Sequence, residues 1–388
     1  MNNYLEFENI QIEELALQRK RYAHLSDEEW RWMLQQVDGR QRTRSKLPTF
    51  AQISDWWYPI RLSCEQCSSE VTAQYKAQLI GSSPYRLIDL TGGYGVDTYF
   101  LSEHAKEAHY VEQNAELCRI ASHNFSLTRK HIQVHNTTAQ EFLASQLSTP
   151  TSKHSTLVYI DPARRSASGN KVFRIEDCEP NITQILLDLR KIADTILIKF
   201  SPMLDITAAL QSLGNDWDIH IVALQNEVKE VLFISGSGMI HTANIYPHKT
   251  DLFTFTREAE KNASSTIVSH INQYLYEPNA AIIKAGAFRL IAERYQVEKL
   301  DNNTHLYTSN KYIESFPGRC WEIIASSIKD VQDIAAHNIN RAAIVTRNYP
   351  LSPEQLRKKL KLRDSDLHYL IGARVASRPT LLLAKRVH

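Results

Sequence analysis

Short apolar segments alternate with longer amphipathic segments between residues 86 and 235 of this 388-residue chain. The short segments are typical of buried strands, and the longer ones, such as Ala115–Leu127 and Ile182–Ile192, repeat apolar residues at helical spacing. This alternation predicts a mostly parallel sheet with helices on both faces. Its strands are predicted at Leu87–Leu90, His109–Glu112, Ile132–His135, Leu157–Ile160, Thr195–Phe200, Trp217–Leu224 and Lys229–Ser235. The last two are too close in sequence for a crossover connection, so they predict an antiparallel hairpin.

The regions on either side of this sheet have different patterns. Residues before about 80 are predicted to be helical, with a capping box at Ser26 and Glu29 and a helix from Ser63 to Ile80. The span from Met239 to Glu277 is less regular, and no elements are assigned to it. The remaining predicted elements form two small α/β units and a C-terminal part. One unit is Ala281–Lys284, a helix at Ala287–Tyr295 and a strand at Gln296–Leu300, and the other is Trp321–Ile324, a helix around Val331–His337 and a strand at Ala342–Thr346. The C-terminal part is a helix from Pro353 to Leu360 and a closing hairpin of Leu367–Ala373 and Thr380–Ala384.

A glycine-rich turn joins the first predicted strand to the helix that follows it. Gly93 and Gly95 lack a Cβ atom, so the backbone can turn sharply and approach a ligand closely. A dinucleotide-binding turn needs a third glycine, and Thr98 occupies that position. With Asp89 at the strand end and Thr91 at the usual first glycine, the turn resembles motif I of class I S-adenosylmethionine (SAM)-dependent methyltransferases. A purely structural turn is the alternative.

Two later strand ends supply the other predicted cofactor contacts. Glu112, followed by Gln113, ends the second strand, where an acid can accept hydrogen bonds from both ribose hydroxyls of a nucleoside. A solvent-facing glutamate is the alternative. Asn136 and Thr138 follow the third strand, at the place where the resembled family contacts adenine. The acid usual at that place is absent, so adenine would be held by Asn136, backbone groups and apolar packing.

The fourth strand ends in the sequence Asp161-Pro162-Ala163-Arg164-Arg165. Its start matches the D/N-P-P-Y motif of methyltransferases that act on exocyclic amines, in which the acid and the proline carbonyl accept hydrogen bonds from the amine. Positioning and electrostatics then supply most of the catalysis. Ala163 and Arg164 replace the second proline and the aromatic residue. Asp161, Pro162 and Arg164 are the predicted catalytic residues, and a structural salt bridge between Asp161 and an arginine is the alternative.

Basic residues favour a nucleic-acid substrate. Arginines after the fourth strand offer planar donors suited to phosphate. From residue 340 to the end there are 11 Lys and Arg against 3 Asp and Glu, although the whole chain has a net charge of only +2. This basic end suggests a module that faces a polyanion, and a solvated basic surface is the alternative. The residues predicted to contact RNA are Arg165, Lys171, Lys199, Ser201, Arg357, Lys358, Lys361 and Arg374.

Composition narrows the class of protein. No apolar run approaches the ~20 residues of a membrane span, and the N-terminal residues lack the hydrophobic region of a signal peptide. A cytoplasmic protein is therefore expected. The five cysteines are too scattered for a disulfide framework, and the pair Cys64 and Cys67 has no second pair to complete a zinc site. No metal is expected.

From about residue 60 to its end, the chain resembles bacterial class I SAM-dependent methyltransferases that carry a C-terminal THUMP-like RNA-binding domain. The segments that carry this resemblance are Leu62–Ala77, Asp89–Asp97, Asp161–Arg165, Tyr276–Gly286 and Tyr349–Lys361 with the closing hairpin. The resemblance implies SAM as cofactor, tRNA or rRNA as partner, and methylation of an exocyclic or ring nitrogen of a base, with guanine N2 favoured. A non-catalytic RNA-binding protein with this fold and an NAD-linked oxidoreductase are the alternatives.

The hydrophobic pattern and this resemblance together predict four domains. They are an N-terminal helical region at 1–80, a Rossmann-like methyltransferase domain at 81–277, a ferredoxin-like connecting unit at 278–322 and a THUMP-like domain at 323–388. The oligomeric state, the RNA and the nucleotide are not predicted.

Overall fold

The computed structural model describes residues 7, 10–148, 153–164 and 175–387. The chain divides into two compact units. The first unit comprises residues 1–215 with 233–235, and the second comprises residues 216–232 with 236–388. The predicted boundaries at 80, 277 and 322 stay predictions.

The first unit is built on a parallel sheet with an added small hairpin. Its strands are β1 (Tyr85–Asp89), β2 (Ala105–Glu112), β3 (Ile132–Asn136), β4 (Ser155–Ile160), β5 (Ala163–Arg164), β6 (Cys178–Glu179) and β7 (Thr195–Phe200). The parallel strands lie in the order β3-β2-β1-β4-β7, and β5 pairs with β6 antiparallel. Leu87 and Ile88 in the central strand are fully buried, as expected for a sheet covered on both faces.

The helices of the first unit cover this sheet and form the region before it. They are α1 (Ile12–Ala16), α2 (Asp27–Thr43), α3 (Pro48–Ala51), α4 (Arg61–Gln66), α5 (Glu70–Ile80), α6 (Val96–Leu101), α7 (Ala115–Ser126), α8 (Ala139–Leu147), α9 (Ile182–Ile192) and α10 (Ile206–Leu213). The capping box predicted at the start of α2 is present, with the Glu29 N–H donating to the Ser26 hydroxyl at 3.2 Å and the Ser26 N–H donating to the Glu29 carboxylate at 2.8 Å.

The single helix predicted from Ser63 to Ile80 is wrong in one respect, because the chain breaks it between α4 and α5. Cys67 leaves the helical conformation, with φ −63° and ψ 160°. Ser69 then caps α5, its hydroxyl accepting from the Thr72 N–H at 3.2 Å. Serine favours such a cap over a helix interior because its hydroxyl competes for backbone groups. The break leaves Ser68 outside both helices.

The second unit begins with strands β8 (Trp217–Leu224), β9 (Glu227–Ser235), β10 (Met239–Ile245) and β11 (Thr250–Thr256). The last three residues of β9, 233–235, belong to the first unit. Gln225 and Asn226 form the two-residue turn between β8 and β9 with φ 48° and 69°, the left-handed conformation that a tight hairpin requires. The predicted hairpin is therefore confirmed. Strands β10 and β11 occupy part of the span left unassigned. Strand β10 pairs with β8 in parallel and with β11 in antiparallel orientation.

A second, seven-stranded sheet completes this unit. Its strands are β12 (Tyr274–Pro278), β13 (Glu298–Asp301), β14 (Thr304–Ser309), β15 (Gly318–Ser326), β16 (Ala343–Arg347), β17 (His368–Val375) and β18 (Arg378–Arg386), in the order β13-β14-β12-β15-β18-β17-β16. The associated helices are α11 (Arg257–Asn262), α12 (Ala280–Ala285), α13 (Leu290–Tyr295), α14 (Val331–Ala335) and α15 (Pro353–Leu360). Among the described residues, no helix is long and apolar enough to cross a bilayer.

Candidate active site

A cavity of about 290 Å³ opens at the carboxyl ends of β1, β2 and β4, the edge where open α/β sheets bind ligands. The loop from Asp89 to Asp97 forms one wall, and Glu112 and Gln113 form another. The other lining residues are Ser63, Gln66, Cys67, Ser68, Leu117, Ala139, Gln140, Tyr159, Asp161, Ala163, Glu179 and Pro180. Every one of these residues belongs to the first unit.

The glycine turn has the backbone geometry that its sequence predicts. Gly93 and Gly95 have φ values of 55° and 85°, in the region that favours glycine. A Cβ atom on Gly93 would meet only the Thr91 carbonyl oxygen, at 3.8 Å, whereas one on Gly92 would lie 2.2 Å from the Tyr110 ring. Gly92 therefore allows close packing below the loop, and Gly93 leaves open space above it.

Asp89 fastens the two ends of this loop together. It is fully buried, and its carboxylate accepts from the Thr91 N–H at 2.9 Å and from the Thr98 hydroxyl at 2.5 Å. Burial raises the pKa of Asp89 to about 7, and these two hydrogen bonds oppose that rise. Asp89 thus shapes the loop from below, and Thr98, at the position of the missing third glycine, takes part in the same contact.

Glu112 faces the cavity from the end of β2. One carboxylate oxygen accepts from the Gly93 N–H at 3.0 Å and the other from the Asn114 N–H at 2.8 Å. A carboxylate has about four lone-pair directions, so hydroxyl donors can still bind to it. Gln113 is exposed at the rim.

The two residues predicted to contact adenine have other contacts. The Asn136 amide donates to the Glu112 and Gln113 carbonyls at 3.0 and 3.1 Å, and the Thr138 hydroxyl caps α8. Neither residue is among the described residues that line the cavity; Ala139 and Gln140, which follow them, are.

The predicted catalytic segment lies directly against the glycine turn. The Asp161 N–H donates to the Thr91 hydroxyl at 2.6 Å, and Pro162 is buried behind it. The backbone of Arg164 belongs to β5, but its side chain is outside the described part of the chain, as are Arg165 and Lys171. The structure therefore brings together the loop at 91–95 and the acid at 161.

Among the described side chains, the partner of Asp161 is a lysine; those of Arg164 and Arg165, the arginines considered from the sequence, are not described. The partner is Lys199 at the end of β7, whose ammonium contacts carboxylate Oδ2. Burial raises the pKa of Asp161, and Lys199 is the main influence that opposes this rise. Lys199, expected to contact RNA, is thus tied to the candidate catalytic acid. Ser201, the other predicted contact at this edge, accepts from the Met203 N–H in a turn.

A second buried pair lies next to the first. Lys76 of α5 is fully buried, with its ammonium 3.2 Å from Asp97 Oδ1. The hydroxyls of Ser68 and Tyr159 each donate to Asp97 Oδ2 at 2.7 Å. Burial alone would raise the pKa of Asp97, but Lys76, Lys199 and these hydroxyls together hold it below its ordinary value.

Sequence reasoning missed the part of the cavity wall that comes from the region before the sheet. The residues concerned are Ser63, Gln66, Cys67 and Ser68. The signal was available, because Ser68-Ser69-Glu70 is a helix-start pattern inside a segment interpreted as one helix. The four basic residues predicted to contact RNA from the second unit lie on α15, its C-cap and β17, and the Arg374 guanidinium donates to the Ser377 carbonyl at 3.0 Å.

Comparison with known proteins identifies the family. A crystal structure of a proposed methyltransferase from Porphyromonas gingivalis W83 is 34% identical in sequence and superimposes with a TM-score of 0.84. The match covers 94% of this chain and 92% of that one. The chain belongs to the class I SAM-dependent methyltransferases with a C-terminal THUMP-like domain. The predicted family, fold class and enzyme class are therefore confirmed.

The C-terminal part of this methyltransferase matches two family models. One describes a ferredoxin-like domain, at residues 274–317, and the other a THUMP domain-like region, at residues 318–386. An uncharacterized SAM-dependent methyltransferase of Mycobacterium tuberculosis is 22% identical over 345 residues, covering 86% of this chain and 90% of its own length, in strains CDC 1551 / Oshkosh and ATCC 25618 / H37Rv alike. SAM is the cofactor of this family, as predicted.

The charge of the cavity fits this cofactor. Its described lining includes the carboxylates of Asp89, Asp97, Glu112, Asp161 and Glu179 and, within that described set, no Lys, Arg or His. Lys76 and Lys199, which are not among the lining residues, balance the charges of Asp97 and Asp161. SAM carries a sulfonium and an ammonium against one carboxylate, so it is a net cation, whereas the pyrophosphate of NAD is a dianion. Carboxylates favour the cation. Among the described residues, no group of three or more His, Cys, Asp or Glu could hold a metal ion.

Proposed function

We propose that this methyltransferase acts in the cytoplasm on a base nitrogen in RNA, either tRNA or rRNA. The observation that carries the proposal is the 2.6 Å hydrogen bond between the Asp161 N–H and the Thr91 hydroxyl, since it joins the candidate acceptor site to the candidate cofactor loop. A methyl acceptor held by Asp161 would therefore lie beside the cofactor held by the loop.

On the cofactor side, Gly93 and Gly95 would let the backbone approach SAM, and Glu112 would accept hydrogen bonds from its ribose hydroxyls. When bound, the cofactor supplies an electrophilic methyl group. Asp89 and Thr91 would act indirectly by keeping the loop in shape, because their side chains bond to the loop and to the end of β4.

On the acceptor side, the Asp161 carboxylate and the Pro162 carbonyl would accept hydrogen bonds from the nitrogen and orient its lone pair. Holding two reacting groups in this way is a large share of catalysis when little covalent chemistry is needed. The basic side chains of the second unit, including Arg357, Lys358 and Lys361, would bind the phosphate backbone and dock the RNA. The THUMP domain-like match at residues 318–386 supports this assignment.

Two measurements test the proposal. Calorimetry should show SAM binding to the wild-type protein and at least about tenfold weaker binding to Glu112→Ala, since hydrogen bonds to a charged group contribute about 1.5–3 kcal/mol. Exposed Glu116→Ala, on the outer side of α7, is the matched control and should bind normally. NADH binding in place of SAM would refute the cofactor assignment.

The substrate is tested separately. Nucleosides from the RNA of cells with and without the gene should differ by one methylated base in mass spectrometry. If the two RNA pools are identical while SAM still binds, RNA is not the substrate, and a protein or small-molecule acceptor would have to be sought.

A further inference from the structure

Four charged side chains form a compact cluster beside the cavity. Lys76 pairs with Asp97, and Lys199 pairs with Asp161. Ser68 joins the two pairs, because its hydroxyl accepts from Lys199 at 3.4 Å and from Lys76 at 3.3 Å and donates to Asp97 at 2.7 Å. Two cations therefore balance two anions, and this charge cluster is neutral as a whole.

Asp161 is held at two points within this arrangement. Its backbone N–H is bound to Thr91, and carboxylate Oδ2 is bound to Lys199. The side chain still keeps 36% of its surface exposed, whereas only 11% of the Lys199 side chain is exposed. A carboxylate with about four lone-pair directions can therefore accept a further hydrogen from a ligand while it remains paired.

Within the described part of the chain, charged groups on four elements influence Asp161. Lys199 lies on β7, Lys76 on α5, Asp97 at the start of α6 and Asp89 at the end of β1. The two other acids disfavour the ionised form of Asp161, as burial does. Among these groups, Lys199 is the one in direct contact and the strongest to favour ionisation.

We propose that Lys199 keeps Asp161 as a carboxylate and thereby restricts the methyl acceptor to a nitrogen that carries hydrogen, either an amino group or a ring N–H such as guanine N1–H. This inference rests on the proposed methyl transfer and deepens it. A carboxylate accepts hydrogen bonds and cannot donate one, so it attracts an N–H group and repels the lone pair of a ring nitrogen that has no hydrogen. Lys199 is thus a positioning residue, and Ser68 fixes its ammonium from the region before the sheet.

The transfer balances with these groups alone. A bond forms between the acceptor nitrogen and the methyl carbon while the bond between that carbon and sulfur breaks, and its electron pair remains on sulfur. The nitrogen then loses one N–H proton to the Asp161 carboxylate, which can release it to solvent from its exposed side. A protonated Asp161 could neither hold the amine in this way nor take up its proton.

The first experiment measures Asp161 directly, without cofactor or RNA. Aspartate carboxyl carbons labelled with ¹³C are titrated by NMR, and the Asp161 signal is identified by its loss in Asp161→Asn. In Lys199→Met the midpoint should rise by about 1 to 3 pH units, because an opposite charge at this range lowers a carboxyl pKa by that amount. Lys199→Arg should stay near wild type, and so should exposed Lys191→Met.

The second experiment follows methyl transfer from labelled SAM to RNA from cells lacking the gene. The acid limb of the pH–rate profile should move to higher pH in Lys199→Met together with the carboxyl titration, and the product should carry its methyl group on a nitrogen that had hydrogen in the substrate. A purely structural Lys199 would instead lower the rate equally at every pH. If the methionine variant does not fold, Lys199→Gln, which keeps a donor without the charge, should give the same shifts.

An unchanged Asp161 titration in the neutral variants, or a methyl group on a ring nitrogen that carries no hydrogen in the unmodified base, would overturn the inference. A shifted titration with no methylation of any RNA would refute the proposed RNA substrate while supporting the assignment of Lys199. The two failures are therefore distinguishable.

Discussion

Replacing Lys76 with methionine removes one partner of the buried ion pair between α5 and α6. Lys76 is fully buried and Asp97 is 9% exposed, so water cannot replace the lost ammonium. Breaking a buried pair in this way costs about 3–5 kcal/mol, since it leaves an uncompensated charge. We expect a loss near the lower end, about 3 kcal/mol, because Lys199 and the hydroxyls of Ser68 and Tyr159 still stabilise Asp97.

The loss should depend on pH in a definite direction. In the folded protein the pKa of Asp97 is held below its ordinary value, so its ionisation stabilises the fold above that ordinary value. That contribution disappears as the pH falls through the lowered folded-state value. Lys76→Met removes part of the stabilisation that comes from ionised Asp97. The difference in unfolding free energy between variant and wild type should therefore be largest near neutral pH and become smaller in acid.

Hydrogen exchange of peptides from α5 and α6 in increasing urea is the suitable assay, because it reports on the first unit separately from the second. Lys191→Met is the control: this lysine is 64% exposed and pairs with Asp188 on one surface, so its loss should cost under about 0.5 kcal/mol. A loss equally small in Lys76→Met, or one that stays constant from neutral to acid pH, would show that the pair does not stabilise the fold as reasoned.

Two further substitutions test the glycine turn. Gly92→Ala should destabilise the first unit by about 1–3 kcal/mol, because its Cβ would lie 2.2 Å from the buried Tyr110 ring. In the control Gly81→Ala, the new Cβ would have nothing within 4 Å, so this exposed position should cost only the strain of its positive φ. Equal losses of stability for the two variants in urea unfolding would contradict the packing argument. Asp89→Asn should flatten the dependence of stability on pH. Burial raises the folded-state pKa of Asp89 to about 7, so this residue ionises in the unfolded chain at lower pH than in the folded protein. The free energy of unfolding of the wild type should therefore decrease as the pH rises from about 4 to about 7. If the variant shows the same decrease over that range, the assignment is refuted.

Local patterns were enough to predict most of the first unit. The strand Thr195–Phe200 and the helix Ile182–Ile192 were predicted with the bounds that the structure has, because a buried parallel strand is a continuous apolar run and Asn181 caps the helix. Strand β11 was not predicted. Only Phe253 and Phe255 are buried in this strand. Two apolar residues that alternate with polar ones are too few to predict a strand from the sequence.

One part of the candidate site could be predicted from the sequence and another could not. The glycine turn could be found from sequence because its requirement is local, a backbone with positive φ directly after a strand. The charge cluster could not, because its contacts join residues far apart in sequence: Ser68 and Lys199 are separated by 131 positions, and Tyr159 and Asp97 by 62. No spacing rule reports such pairs. The sequence shows Lys199 as a cation at a strand end and led to its assignment to RNA. Its pairing with Asp161 could not be predicted because it depends on the fold.

The break between α4 and α5 shows why the region before the sheet matters to the site. An unbroken helix would keep the Ser68 backbone in the helical hydrogen-bond ladder and limit where its hydroxyl points. With the chain extended at Cys67, Ser68 instead reaches Asp97 and Lys199 together. A segment outside the sheet thereby supplies a hydrogen bond to the lysine that pairs with the acid at the end of β4. The site is consequently a property of the whole first unit, and the glycine turn by itself accounts for only one side of it.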